Sequence, residues 1–296
     1  HYDDRGSGDT VLLIHGGLMD PMSGERFWIT PGVVDDLVGA GYRTLVPDRR
    51  YHAGRTTAEF SVATWDVEAD DMAAVLNAAG VERARVVAGS NGCSVAIRLA
   101  RRHSDLVTTL ALCWPARLDN EALQRQFDRS AGVIEASGTD AYLTALREQG
   151  LPRLGHDRPG FPYGVALLRD ERLAASFLAT PAHEAARIVR ESAAALLPGE
   201  LLRGVTRDDL EALQPSGITV AVIPADPEDP YHPREAALDL ARAIPDATVA
   251  NGSPVTPSPA FTEFRRAFRN SLTRLLSQET RRGATRAPSF RPITES

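Results

Sequence analysis

Val86-Val87-Ala88-Gly89-Ser90-Asn91-Gly92-Cys93 is a β-branched run that breaks off at small residues and leads into a helical pattern from about Ser94. A strand that turns sharply into a helix can hold one side chain proud of the corner. It does so only where the residues two before and two after are small, because neighbouring backbone comes very close there. Ala88 and Gly92 meet that requirement around Ser90. Moving the frame by one residue puts Asn91 at the tip, and an amide is no nucleophile. An ordinary strand-to-helix turn with a capping serine fits the same letters, so the surrounding chain has to decide.

Working outward, β-branched runs at Thr10 to Ile14, Tyr42 to Val46, Arg85 to Ala88 and Leu106 to Cys113 alternate with helical spacing, as in Ala69, Met72, Ala73 and Leu76 before Gly80. That alternation specifies an α/β fold with a parallel sheet between helices. From Ala116 to Pro215 no strand signal occurs and helical faces follow one another. They are Leu123, Phe127, Ala131 and Ile134, then Tyr142, Ala145 and Leu146, then a helix expected to open with Thr180 as cap and Pro181 in its first turn. The stretch Leu151 to Tyr163, rich in proline and glycine and containing His156, has the composition of a mobile lid segment. The α/β pattern resumes with a strand at Ile218 to Ile223 and a helix from Pro233 with Ala237, Leu240, Ala241 and Ile244 on one face. A short strand at Thr248 to Ala250 and a last helix with Phe261, Phe264, Phe268, Leu272 and Leu275 complete it. The expected organisation is a core of residues 1–115 and 216–276, a helical insertion at 116–215, and a tail at 277–296 that is disordered or wraps the surface.

Composition narrows the chemistry. All 33 residues in the Lys+Arg total are arginine, which excludes a lysine Schiff base, a phosphate-loop lysine and a lysine general base. A net charge of -6 gives no broad basic field for nucleic acid or an anionic membrane, so a small-molecule or peptide-derived substrate is the expected partner. The two cysteines, Cys93 and Cys113, make neither a disulfide scaffold nor a zinc cluster, and no cofactor or metal motif is present. No apolar run approaches the roughly 18 residues that span a bilayer, and His1 to Thr10 are polar, so neither a membrane span nor a signal peptide is expected and the location expected is cytoplasmic. Oligomeric state is open.

Near the start the chain reads Val11-Leu12-Leu13-Ile14-His15-Gly16-Gly17. Together with the Ser90 corner, Val46-Pro47-Asp48-Arg49 after the second strand and Asp229-Pro230 through Pro233 late in the chain, this resembles the α/β-hydrolase fold superfamily. The resemblance implies a mostly parallel central sheet flanked by helices, with the helical insertion as a cap. It further implies that Ser90 is the nucleophile and that backbone amides of Gly17, with Leu18 as the alternative, and of Asn91 form an oxyanion hole. Asp229 falls on the acid position. Asp226, Glu228 and Asp229 could equally be solvated in an Asp-Pro turn.

The third catalytic position departs from the family. Where a histidine should follow the strand at Thr248 to Ala250, the chain reads Asn251-Gly252-Ser253-Pro254-Val255, and Val255 takes the histidine's place. No histidine occurs after His232. Without a base a serine hydroxyl is a poor nucleophile. Substitutes are His232, if its loop folds back, His156 and His183 from the insertion, and His52 beside the expected pocket as base or ligand contact. Trp114 and Trp28 could line that pocket or lie in the core, and Cys93 is expected to be a small buried hydrophobe.

Three activities fit these letters. The first is acyl hydrolysis or transfer on an ester, lactone or thioester through Ser90. The second is a non-hydrolytic isomerase, epimerase, lyase or cyclase of natural-product metabolism that uses the oxyanion hole with an atypical triad. The third is a catalytically silent ligand-binding protein.

Overall fold

The computed structural model describes residues 1–53, 55–117, 120–149, 162–214, 216–225, 229, 232–250 and 268–277 of the 296. Seven described strands form one sheet: β1 (Tyr2–Arg5), β2 (Thr10–Ile14), β3 (Arg43–Pro47), β4 (Ala84–Gly89), β5 (Val107–Cys113), β6 (Thr219–Ile223) and β7 (Thr248–Val249). Their order is β1-β3-β2-β4-β5-β6-β7, with β1 antiparallel at one edge and every other pairing parallel. β2 and β4 are buried along their whole length, as continuous apolar runs in a sheet covered on both faces must be. The strand β1 has no counterpart in the sequence pattern. It is a half-exposed Tyr-Asp-Asp-Arg edge, held to β3 by backbone pairing, and its charges discourage a further strand from adding there.

Successive side chains of each strand point to opposite faces, and two cores result. Leu12, Ile14, Val86 and Ala88 face one core, which α2 (Trp65–Ala78), α3 (Gly92–Arg102) and α10 (Arg234–Ala243) cover. Val11, Leu13 and Val87 face the other, closed by α1 (Val33–Gly39) and by α11 over 268–277, through Phe268, Leu272 and Leu275. Between β5 and β6 the described residues form α4 (Asn120–Ser137), α5 (Thr139–Gln149), α6 (Gly164–Leu167), α7 (Glu171–Ala179), α8 (Ala182–Leu196) and α9 (Arg207–Glu211).

The inserted helices are tied to the segment that leads into α2. Ser176 and Ser192 hydroxyls accept from the amides of Phe60 and Ala63, the Tyr163 hydroxyl donates to the Ser61 carbonyl, and the Trp65 indole donates to the Leu196 carbonyl at 2.9 Å.

Two element boundaries differ from expectation. α3 begins at Gly92 rather than near Ser94, so the turn is tighter than its letters implied. Thr180 closes α7, and Pro181, with ψ of 142°, is the residue before α8, because its extended backbone precedes the first helical turn. Residues 151–161 of the expected lid stretch Leu151 to Tyr163, Phe261, Phe264 and the tail beyond Ser277 lie outside the described residues.

The reversal of strand order falls at β2, which has β3 on one side and β4 on the other. In open α/β sheets the crevice beyond the carboxyl ends of such strands is where ligands bind, and His15 and Ser90 follow those two ends. Gly92 is what lets the two ends meet, since a Cβ there would stand 2.7 Å from the His15 carbonyl oxygen and 2.8 Å from that of Ile14. Gly92→Ala should therefore cost about 1–3 kcal/mol in urea unfolding by forcing backbone apart. Gly39→Ala, on α1 with nothing within 4 Å of the new methyl, should be neutral or stabilising.

Candidate active site

Ser90 sits at φ +56°, a left-handed conformation that a non-glycine residue adopts only when its surroundings enforce it. Here they do. Its amide continues the β4–β5 ladder by donating to the Cys113 carbonyl, while its own carbonyl already accepts from Cys93 in the first turn of α3. Strand and helix thus claim consecutive backbone groups, and the side chain is thrown outward. Gly16 and Gly89 leave room beside it: a Cβ on Gly16 would meet the Ser90 Cβ at 2.7 Å, and one on Gly89 would meet the Phe27 ring at 2.6 Å.

Among the described residues the hydroxyl is hydrogen-bonded to His232. Its Nε2 lies 2.9 Å from Ser90 Oγ, and its Nδ1 lies 2.9 Å from Asp229 Oδ2. Asp229 Oδ1 also accepts from the His232 backbone amide at 3.1 Å, so one carboxylate fixes both the ring and the backbone of the residue three positions on. A carboxylate can only accept, which places the ring proton on Nδ1 and leaves Nε2 to accept from the serine. The Asp229 side chain is 2% exposed and that of His232 is 12% exposed, so the pair is largely withdrawn from water. His232 does reach the serine, and it supplies the imidazole that the family resemblance places at position 255.

Opposite Ser90, the loop after β2 is braced from below. Arg49 Nη1 donates to the carbonyls of His15, Gly16 and Gly17 at 3.1, 3.2 and 3.0 Å, and its Nε pairs with Glu68 at 2.5 Å, both side chains being essentially unexposed. Gly17 has φ +90°. The Leu18 amide is turned to the Asp20 carboxylate, and the Met19 amide donates to His52 Nε2 at 3.2 Å. The amides of Gly17 and Asn91 donate to no described residue. Leu18 is accordingly the poorer alternative of the two residues expected from the sequence.

The remaining histidines are placed elsewhere. His52 is fully buried, accepts from Met19, bonds to the Arg50 carbonyl through Nδ1 and packs edge-on against His15 at 5.0 Å. Both its nitrogens are used, so it shapes the loop and is neither base nor ligand contact. His183 is exposed at the start of α8, within electrostatic reach of Glu135 on the outer side of the insertion. His156 and Val255 lie outside the described residues. Trp28 is 1% exposed and belongs to the core, in a cluster with Phe27 and Trp114. Trp114 is 7% exposed, packed against Phe268 and reaching toward Gly89. Cys93 is buried and bonds toward the Ala88 carbonyl, and burial pushes its thiol far up, which rules out a thiolate. Among the described residues no group of His, Cys, Asp and Glu could hold a metal ion, and no helix is long and apolar enough to cross a membrane.

Phe27, Glu68 and Arg203 were not singled out by sequence, and Arg49 entered only as the end of the stretch Val46-Pro47-Asp48-Arg49. Phe27 lies on a π-helical turn at Glu25–Ile29, whose spacing matches neither helix nor strand period. Arg49 and Glu68 are far apart in sequence and meet only through the fold.

A model of the alpha/beta hydrolase fold matches residues 9–197, and the chain belongs to that family. Among relatives, a 2-hydroxymuconate semialdehyde hydrolase of Pseudomonas putida is 28% identical over 263 residues, covering 82% of this chain and 79% of the other. Among solved structures, a thermophilic esterase of Thermogutta terrifontis superposes with a TM-score of 0.58 at 23% identity, covering 95% of this chain and 93% of the other. An enol-lactonase of Burkholderia xenovorans LB400 gives 0.56 at 20%, covering 94% and 96%. The likeness to these two structures is one of fold.

The buried histidines make stability pH-dependent. Burial and the Arg49 charge push His15 down to about 3, and the same causes hold His52 well below the usual imidazole range. Folded proton affinity is below unfolded, so above pH 6.5 both states are neutral and nothing changes. Below it the unfolded chain takes up protons first, and stability should fall by about 1.4 kcal/mol per pH unit for each histidine. Urea unfolding at pH 7.5 and 5.5 should show that slope, reduced in His15→Gln. A flat profile would count against both rings being held neutral.

Proposed function

We propose that this chain is a serine acyl hydrolase of the alpha/beta hydrolase family, acting on an ester, lactone or thioester of a small molecule through Ser90, His232 and Asp229. The observation that carries the reading is the unbroken line of hydrogen bonds from Ser90 Oγ through the His232 ring to Asp229. In this scheme His232 Nε2 takes the hydroxyl proton as Ser90 Oγ attacks the acyl carbon, and the Asp229 carboxylate stabilises the imidazolium that forms. The developing oxyanion is received by the Gly17 and Asn91 amides, helped by the positive end of α3, which starts at Gly92. His232 then protonates the leaving group, and a water deprotonated by the same nitrogen releases the acid and restores the serine.

The Arg49 brace supports the oxyanion role. With three successive carbonyls turned to one guanidinium, the loop cannot rotate its amides away without breaking a buried ion pair, so the donors are oriented before substrate arrives. The relatives' names, a semialdehyde hydrolase, an esterase and an enol-lactonase, agree with an acyl or related carbonyl substrate. The helices inserted between β5 and β6 are assigned as the cap over this site.

A fluorophosphonate probe should label the protein at Ser90 and fail on Ser90→Ala. Asp229→Asn should leave the fold intact yet lower kcat on an activated ester by about 10⁴-fold, because the amide holds the imidazole in the wrong tautomer. His232→Ala should lose at least about 10³-fold. Undiminished turnover in His232→Ala would overturn the assignment of the base.

A further inference from the structure

Arg203 is a buried cation that the proposed reaction leaves unused. It lies in the loop between α8 and α9, is 3% exposed, and among the described residues pairs with no carboxylate. Its partners are two neutral amide oxygens: Nε donates to Asn120 Oδ1 at 2.8 Å and Nη1 to Asn91 Oδ1 at 2.9 Å. Among the described residues its Nη2, like that of Arg49, has no hydrogen-bond partner although it is buried. The contrast with other buried arginines is instructive. Arg49 has Glu68 and Arg85 has Asp9, and the partly exposed Arg98 has Asp209. Withdrawal from water, with no acid to offset it, pulls the Arg203 guanidinium down to about 10. A charge in that condition destabilises the fold, so its retention calls for an occupant.

The position says what kind. Asn91 follows the nucleophile, and Asn120 opens the first inserted helix, so the guanidinium stands where the insertion leaves and rejoins the sheet, next to the Ser90 corner. Its backbone is rigid: Gly204, at φ +65°, packs so closely on the Trp65 indole that no side chain fits there, and a Leu202–Val205 bridge closes the turn. A preorganised guanidinium with one nitrogen free and two held by neutral oxygens is built to accept an anion, and planar carboxylate is the anion that geometry suits.

We propose that Arg203 is a specificity-determining residue that binds a carboxylate carried by the substrate, so that the preferred substrates are acyl compounds bearing a free acid group a few atoms from the scissile carbonyl. The inference deepens the hydrolase reading and rests on it for the word substrate, but the anion site itself can be tested without turnover.

The test compares mono-4-nitrophenyl glutarate with its neutral methyl ester. The wild-type protein should favour the acid by about 10- to 100-fold in kcat/KM, the worth of one hydrogen-bonded charge pair, chiefly through KM. In Arg203→Gln that ratio should collapse to about one, and Arg203→Lys should keep part of it. Glutarate alone should bind wild-type and Ser90→Ala protein by calorimetry, and bind Arg203→Gln at least about 10-fold more weakly. A wild-type ratio near one, or a ratio unchanged in Arg203→Gln, would overturn the proposal and leave the guanidinium as a brace for Asn91 and Asn120. If neither ester turns over, the hydrolase reading fails separately, and the glutarate titration alone decides the anion site. If Arg203→Gln does not fold, the wild-type ratio and Arg203→Lys decide it.

Discussion

One strained residue governs the arrangement. Ser90 at φ +56° has its amide in the sheet and its carbonyl in a helix, and it holds that conformation because β4, β5 and the start of α3 leave it no other. The corner is close enough to the end of β2 that Gly92 lies against the Ile14 and His15 carbonyls. Because β2 and β4 are neighbours where the strand order reverses, the loop after β2 and the hydroxyl after β4 must face one another across the same crevice. Strain of this kind is held only by a rigid surround, and the double core on either face of the sheet supplies it.

Electrostatics then sets the details. A protein whose basic residues are all arginine places several of them inside, and each has a distinct task set by its partners. Arg49, neutralised by Glu68 and lying over the Trp65 ring, turns three carbonyls of the loop after β2 to one side. Arg98 binds Asp209, whose carboxylate also completes the capping box of α9, and so anchors the chain as it returns from the insertion. Planar, permanently charged donors with several N–H groups suit such junctions better than a lysine ammonium would. Arg203 has the same build without an acid among the described residues, and the difference is chemical rather than positional.

Much of the fold was legible because buried parallel strands are nearly continuous apolar runs. Thr10–Ile14 forms β2 as its letters imply, and β4, β5 and β6 agree to within a residue or so. The edge strand β1 was not legible, since a half-exposed Tyr-Asp-Asp-Arg carries no alternation and is specified by its partner β3. At the site, the small residues around Ser90 were readable because backbone crowding dictates residue size. The base was legible only as one of four candidate histidines, because an aspartate bonding a histidine three residues later is a local turn with no periodicity, and the family pattern directs attention beyond β7 instead. Nor could burial of His52 be foreseen: its neighbours Arg50, Met19 and His15 are set by loop packing rather than by spacing.

The most direct test is a crystal structure of the protein after reaction with a fluorophosphonate. A phosphorus bonded to Ser90 Oγ is expected, with one phosphonyl oxygen within about 3.2 Å of both the Gly17 and Asn91 amides and His232 Nε2 within hydrogen-bond distance of the serine oxygen. Phosphonylation of a different residue, or a Ser90 adduct with His232 turned away from it and from Asp229, would contradict the assignment.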